Sequence, residues 1–382
     1  MNRLLSFLLT TTFFFTCCRT DEQLITPDTY DLAPARDIST FADDEPTAFY
    51  VINQGNMGSN KATIDHGSFI SGKYLRNIFA ERNPNVVKEL GDVGNDIKIY
   101  RNRLYAVINA SHKVEVMDLE AHRIGQIDIP NCRYITFHND KAYVTSFVGE
   151  VADFDAPLGA VYVVDINSME ITTTITVGYQ PEEMVIDNGM LYVANSGGYS
   201  GYDDPQKYEQ TISVIDLATN QVVKTLDTGK KNLTRLRIDN HGQLWVMSNG
   251  DYISSQPTLL VSNSDKTSFT NLNIPCSNFT ISGDKVYYYH QTSGNKTYGV
   301  IDVTTRSVIS TSLITDGTEQ TITMPYMIDV NNYSGDIYIG DAKNYVSSGT
   351  LSCYTSGGTL RWRVTTGDIP AAMAFIYKEQ EL

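Results

Sequence analysis

One phrase, an aromatic side chain set among aliphatic ones, recurs seven times along the chain. It reads AFYVIN from residue 48, RLYAVIN from 103, KAYVTS from 141, MLYVANS from 190, QLWVMSN from 243, KVYYYHQ from 285 and DIYIGDA from 336. Aromatic and β-branched residues in short runs favour a pleated, well-packed strand. Around each phrase lie three more strand-like runs and little else. TISVIDLATNQVVKTLDTG from Thr211 parallels GAVYVVDINSMEITTTITVG from Gly159, and KVEVMDLEAHRIGQIDIP from Lys113 follows the same plan. Four strands repeated every 38 to 55 residues predict an all-β fold, a seven-bladed β-propeller.

The phase of the repeat adds a constraint. At Ala48 the chain enters with the second strand of a unit, and AAMAFIY, residues 371–377, has the character of a first strand. The ring is therefore expected to close by the C-terminal strand joining the N-terminal blade. This divides the chain into residues 1–17, a lipoprotein signal peptide; 18–46, a flexible tether rich in Pro, Asp and Thr; and 47–382, the propeller.

The first segment is MNRLLSFLLTTTFFFTCC. A basic residue followed by a short apolar run is a secretory signal, too short to span a bilayer. Its end at paired cysteines resembles a lipobox, so Cys17 or Cys18 is the expected lipidation site and an N-terminal lipid the expected membrane anchor. The following Asp21-Glu22 pair suits export to the cell surface of an outer membrane. Cys132, Cys276 and Cys353 lack metal or redox spacing and read as small buried hydrophobes. The formal charge of −15, without a basic run, excludes a nucleic-acid partner.

In a four-stranded antiparallel blade, the loop between the second and third strands and the turn into the next blade emerge on one face. On that face the loops are long: NQGNMGSNKATIDHG from Asn53, SFVGEVADFDAPLG from Ser146, NSGGYSGYDDPQKYEQ from Asn195 and SNGDYISSQP from Ser248. They supply Asn56, Met57, Phe147, Phe154, Tyr199, Tyr202, Asp203 and Tyr252 as candidate ligand-binding residues. The turns into the inner strands add Asn95, Asp96, Arg133, Tyr134, Tyr179, Glu182, Arg235 and Tyr326. Aromatics give rigid contact area, while amides and charges give directional hydrogen bonds. The set suits a large polar ligand with apolar faces.

No catalytic motif is present, the six histidines are scattered, and neither ADFDAP nor GYDDPQ has the spaced oxygen ligands of a calcium loop. The expectation is a protein that is not an enzyme, with neither cofactor nor metal.

LYVANSGGY followed by TISVIDLATNQVVKTLDTG resembles the YncE-type seven-bladed propellers. AFYVINQGNMGSNKATID, NPNVVKELGDVGNDIKIY, KVEVMDL and IGQIDIPNCRYITF, beneath a lipobox, resemble the BtuG surface lipoproteins of Bacteroides. That resemblance implies capture of vitamin B12 (cobalamin) or another corrinoid as a transported ligand. It also implies delivery to a BtuB-like TonB-dependent outer-membrane transporter. Two other readings remain on the same fold. A lactonase-like hydrolase would draw on Glu182, Glu183, Arg133 and Arg235, and a glycan-binding or adhesion propeller would use similar loops.

Overall fold

Residues 28–86, 89–150, 153–155, 157–292 and 294–381 are described by a computed structural model. The predicted signal peptide, the lipidation site and the first part of the predicted tether lie outside the described residues. Seven antiparallel sheets follow one another around a ring, six of four strands and one of five.

In the six four-stranded sheets the order is the chain order, and in blade 1 it runs Pro370–Tyr377, Pro46–Asn53, Thr63–Ser68, Lys73–Leu75, Thr29–Asp31 from the inside outwards. In blade 4, for example, Pro181–Asp187, Met190–Asn195, Thr211–Asp216 and Gln221–Asp227 run from the inside outwards. Asn188 and Gly189 join its first two strands with φ of 48° and 76°, the mirror-image turn that the twist of a tight hairpin requires.

The recurring phrase is the second strand of each blade. It is buried on both faces because blades pack face to face, and its alternation sends successive side chains to opposite neighbours. In blade 2, Leu104, Ala106 and Ile108 join a core with Tyr50, Ile52 and Ile64 of blade 1. Tyr105 and Val107 join Ala142, Val144 and Val164 of blade 3 instead. Seven such clusters fill the seven blade interfaces. A propeller has no single core, and this is why every second strand needs an aromatic or bulky aliphatic residue on both sides.

The ring closes as expected. Pro46–Asn53 pairs antiparallel with Pro370–Tyr377, with Phe49 opposite Phe375 and Val51 opposite Met373. Phe49 seals the seam, its ring parallel to that of Trp362 with centroids 6.0 Å apart and tilted against Tyr74 and Tyr338. Such aromatic contacts add to the stabilisation that burial alone gives.

The described part of the predicted tether is not a free linker. Thr29–Asp31 forms a fifth, outermost strand on blade 1, paired with Lys73–Leu75. Leu32 is buried in the core between blades 7 and 1. Phe41 is buried too, with the Arg36 guanidinium 3.9 Å over its ring. Two isolated apolar anchors hold this strap, which is why it carries no hydrophobic period. Thr29 pairs with Leu75, the last residue of the fourth strand, so the strap enters from the face that bears the long loops.

Among the described residues no helix is long and apolar enough to cross a membrane. The three cysteines among the described residues are free and buried, and burial pushes the thiols of Cys132 and Cys353 up to about 12. They are packing residues.

Candidate functional site

The inner strands of six blades share an irregularity at the loop-bearing end. Pairing skips residues between Gly94 and Asp96, between Cys132 and Ile135, between Pro181 and Met184, between Leu233 and Arg235, between Pro325 and Met327, and between Pro370 and Ala372. Only blade 6 pairs without a break, from Asn278 to Ser282. A bulge leaves its extra residue outside the ladder and re-aims the side chain. The residues so released are Asn95, Arg133 with Tyr134, Glu182 with Glu183, Thr234, Tyr326 and Ala371. Except for Glu183, each lines a cavity at the mouth of the ring.

Three cavities share walls there. The largest, about 890 Å³, is bordered by Arg133, Tyr134, Arg235, Tyr289 and Tyr326. A second of about 390 Å³ continues beneath Gln54, Asn56 and Met57, and a third of about 410 Å³ runs out between Phe147, Phe154, Tyr199, Tyr202 and Tyr252. Arg133 borders all three. Together they make one basin.

Its floor is charged and internally matched. Arg133 grips Glu182 with both ends of its fork, Nε to Oε2 at 3.1 Å and Nη2 to Oε1 at 3.2 Å. Its guanidinium also lies 4.8 Å from the centre of the Phe147 ring. Glu183 accepts from Arg235 Nη1 at 2.6 Å, from Arg237 and from the Leu236 amide at 3.0 Å. Burial works to raise the Glu183 carboxyl, but the two guanidiniums and these hydrogen bonds outweigh it and hold the group at about 2. Glu182 goes the other way, because burial lifts it against the pull of Arg133. Of these groups Arg133, Arg235 and Glu182 line the cavities, two guanidiniums to one carboxylate, a cationic floor in an acidic protein.

Amides tie the blades around this floor. Asn95 donates to the Arg133 carbonyl at 2.6 Å, Asn278 to the Tyr326 carbonyl at 3.0 Å, and Asn109 to Asn131 Oδ1 at 2.7 Å. The Tyr326 hydroxyl donates to Gln54 at 2.6 Å. Two polar groups on the basin wall, the Thr234 hydroxyl and the Gln291 carbonyl oxygen, are buried without a hydrogen-bond partner.

The rim is apolar. Tyr202 is 74% exposed and Tyr252 63%, and Met57, Phe154 and Tyr345 are also exposed. Tyr199 stands edge-on to both Phe147 and Phe154, with centroids 6.4 Å away in each case. It is carried by the short helix Gly198–Asp203, which Gly197 starts at φ +69°. A Cβ on Gly201 of that helix would sit 2.1 Å from the Tyr208 ring, so glycine allows the close approach.

Of the sixteen candidate ligand residues, thirteen border the basin: Asn56, Met57, Asn95, Arg133, Tyr134, Phe147, Phe154, Glu182, Tyr199, Tyr202, Arg235, Tyr252 and Tyr326. Three have other places. Asp96 is buried and accepts from the amides of Ile97 and Ile135 at 2.9 and 3.1 Å, pinning the inner strands of blades 2 and 3 together. Tyr179 borders a lateral pocket that shares Phe154 and Tyr208 with the basin. Asp203 ends its helix, exposed to solvent. Sequence reasoning passed over Tyr289, Gln291 and Tyr345, which also border the basin. Tyr289 and Gln291 sit within the recurring phrase, where they read as strand, and Tyr345 follows the last phrase in a loop with φ +66°.

Among the described residues no group of His, Cys, Asp or Glu is placed to hold a metal ion.

Solved structures similar to this one are distant in sequence. A hydrazine synthase from Kuenenia stuttgartiensis matches with 17% identity and a TM-score of 0.58, over 74% of this chain and 89% of that one. A quinonprotein alcohol dehydrogenase-like protein from Bacteroides thetaiotaomicron matches with 12% identity and a TM-score of 0.56, over 87% and 79%. A functionally unknown protein from Desulfotomaculum acetoxidans matches with 11% identity and a TM-score of 0.59, over 87% and 99%. At such identities the likeness concerns the fold alone. No curated protein matches. Residues 47–355, from within the strand Pro46–Asn53 into the last blade, match the family described as Domain of unknown function (DUF5074), and the chain belongs to that family.

Proposed function

We propose that the protein is a capture module whose basin takes a corrinoid such as cobalamin and passes it to a TonB-dependent outer-membrane transporter. The observation that carries the reading is the basin itself, a cationic, amide-lined floor under an exposed aromatic rim. Cobalamin presents a flat corrin, a fringe of amides and a phosphate, and these correspond to rim, amide belt and floor. Stiff walls held by inter-blade hydrogen bonds lose little freedom on binding, which favours affinity. The sequence resemblance to the BtuG lipoproteins supports the same ligand. A lipid anchor at Cys17 or Cys18 and display at the cell surface belong to this proposal.

Hydrolysis is the weaker reading. A general acid or base needs a carboxylate free to meet substrate, whereas Glu182 and Glu183 are both engaged by guanidiniums.

Mature protein mixed with cyanocobalamin at micromolar concentration is expected to elute red from a sizing column. Colourless protein under those conditions overturns the corrinoid reading and leaves the fold.

A further inference from the structure

A second, smaller pocket opens beside the basin, in the crevice between the long loops of blades 3 and 4. Its volume is about 430 Å³, within the range of small-molecule sites. Phe154, Tyr179 and Tyr208 give it apolar walls, and Gln206, Glu209 and Ser200 give it polar ones.

Cross-links hold this pocket in shape. Gln180 donates to the Asp153 carbonyl at 3.2 Å and accepts from the Ser200 amide at 3.2 Å, tying loop to loop. Lys207 Nζ reaches Asp155 Oδ1 at 3.0 Å across the same crevice. The Tyr179 amide donates to Glu209 Oε1 at 2.9 Å, which fixes the aromatic residue at the edge. The site is therefore formed before any ligand arrives.

One group in it is left unmatched. Ser200 is only 3% exposed, and its hydroxyl oxygen, buried among the pocket-lining groups, has no hydrogen-bond partner. A buried polar atom without a partner is costly and calls for an explanation. The oxygen is closed to solvent as the loops stand, so a ligand hydroxyl reaches it through a small shift of the helix Gly198–Asp203.

The charges narrow the class. Lys207 is already paired with Asp155, and Asp203 and Asp204 lie within its electrostatic reach, so an anion meets net repulsion. A cation finds both pocket-lining carboxylates already engaged, Asp155 by Lys207 and Glu209 by the Tyr179 amide and the Thr211 hydroxyl. What remains is a neutral molecule with hydroxyls on its edge and a hydrocarbon face. Exposed rings of Phe154 and Tyr179 suit that face, and the planar Gln206 amide suits adjacent hydroxyls.

We propose that this lateral pocket, which shares the walls Phe154 and Tyr208 with the outer part of the basin, is a binding site for a neutral sugar ring, independent of what the basin floor holds. The test is saturation-transfer NMR on the mature protein with maltose, cellobiose, N,N′-diacetylchitobiose and methyl α-mannoside, each at millimolar concentration. At least one sugar is expected to receive saturation from the wild type. Tyr179→Ala and Gln206→Ala are each expected to cut that signal severalfold, while Gln206→Ala keeps the wild-type melting temperature and still co-elutes with cyanocobalamin if the wild type does. Absence of transfer to every sugar overturns the proposal, as does a signal that survives both substitutions.

Discussion

The floor and the rim of the basin lie within one mouth and are built on opposite plans. On the floor, Arg133, Arg235 and Arg237 are largely withdrawn from water and each has a carboxylate partner. On the rim, Met57, Tyr202 and Tyr252 expose large apolar surfaces. Buried charges are tolerable only when paired, so the floor must keep its partners whether or not a ligand is present. Rim aromatics hold almost nothing else in place. Their exposed area is available for recognition, and the floor chiefly holds the inner strands in register.

Glu183→Ala should break the floor most severely. It leaves two partly exposed guanidiniums without their carboxylate and is expected to destabilise the fold by about 2–3 kcal/mol, measured by urea denaturation. A loss under about 1 kcal/mol removes the structural role assigned here to the floor.

Acid probes the same ion pairs without mutation. Glu183 is held at about 2 against an ordinary 4.5, so its contribution is complete above pH 4.5 and fades as pH falls towards 2. The group contributes at most about 3 kcal/mol. The comparison of wild type with Glu183→Gln over that interval isolates it, since the variant should lack this part of the acid dependence.

Joint replacement of Tyr202 and Tyr252 by Ala has the smallest expected effect on the fold, within about 0.5 kcal/mol. Cyanocobalamin affinity by equilibrium titration should nevertheless fall by about tenfold, a loss of about 1.4 kcal/mol. Unchanged affinity with unchanged stability leaves the rim to a protein partner, and a large loss of stability makes it part of the scaffold.

The division between legible and hidden features follows the range of the interactions. Blade number, phase, closure and the richer face were all readable, because each strand phrase is a local pattern repeated seven times. Bulges were not. Their position depends on register against the neighbouring strand, as where Asn195 pairs with Pro181 but Val193 with Met184. Charge pairing was hidden for the same reason, since Glu182 meets Arg133 across 49 positions of sequence and Glu183 meets Arg235 across 52. Asp96 looked like a ligand residue because an exposed turn and a buried clasp between blades have the same local sequence. The strap at 29–46 was read as a linker because two anchors, Leu32 and Phe41, make no period.

The seam at blade 1 also bears on how the protein is made. Pro46–Asn53 is among the first strands to be synthesised, and its inner partner Pro370–Tyr377 is nearly the last. Contacts so far apart in sequence are slow to form, so six blades can assemble while blade 1 waits for Pro370–Tyr377. Until then the flank of blade 2 that meets Tyr50 and the flank of blade 7 that meets Phe49 are open to water. A nascent chain that stalls before residue 370 is left with two sticky faces and no way to cover them, an incomplete circle prone to join its neighbours.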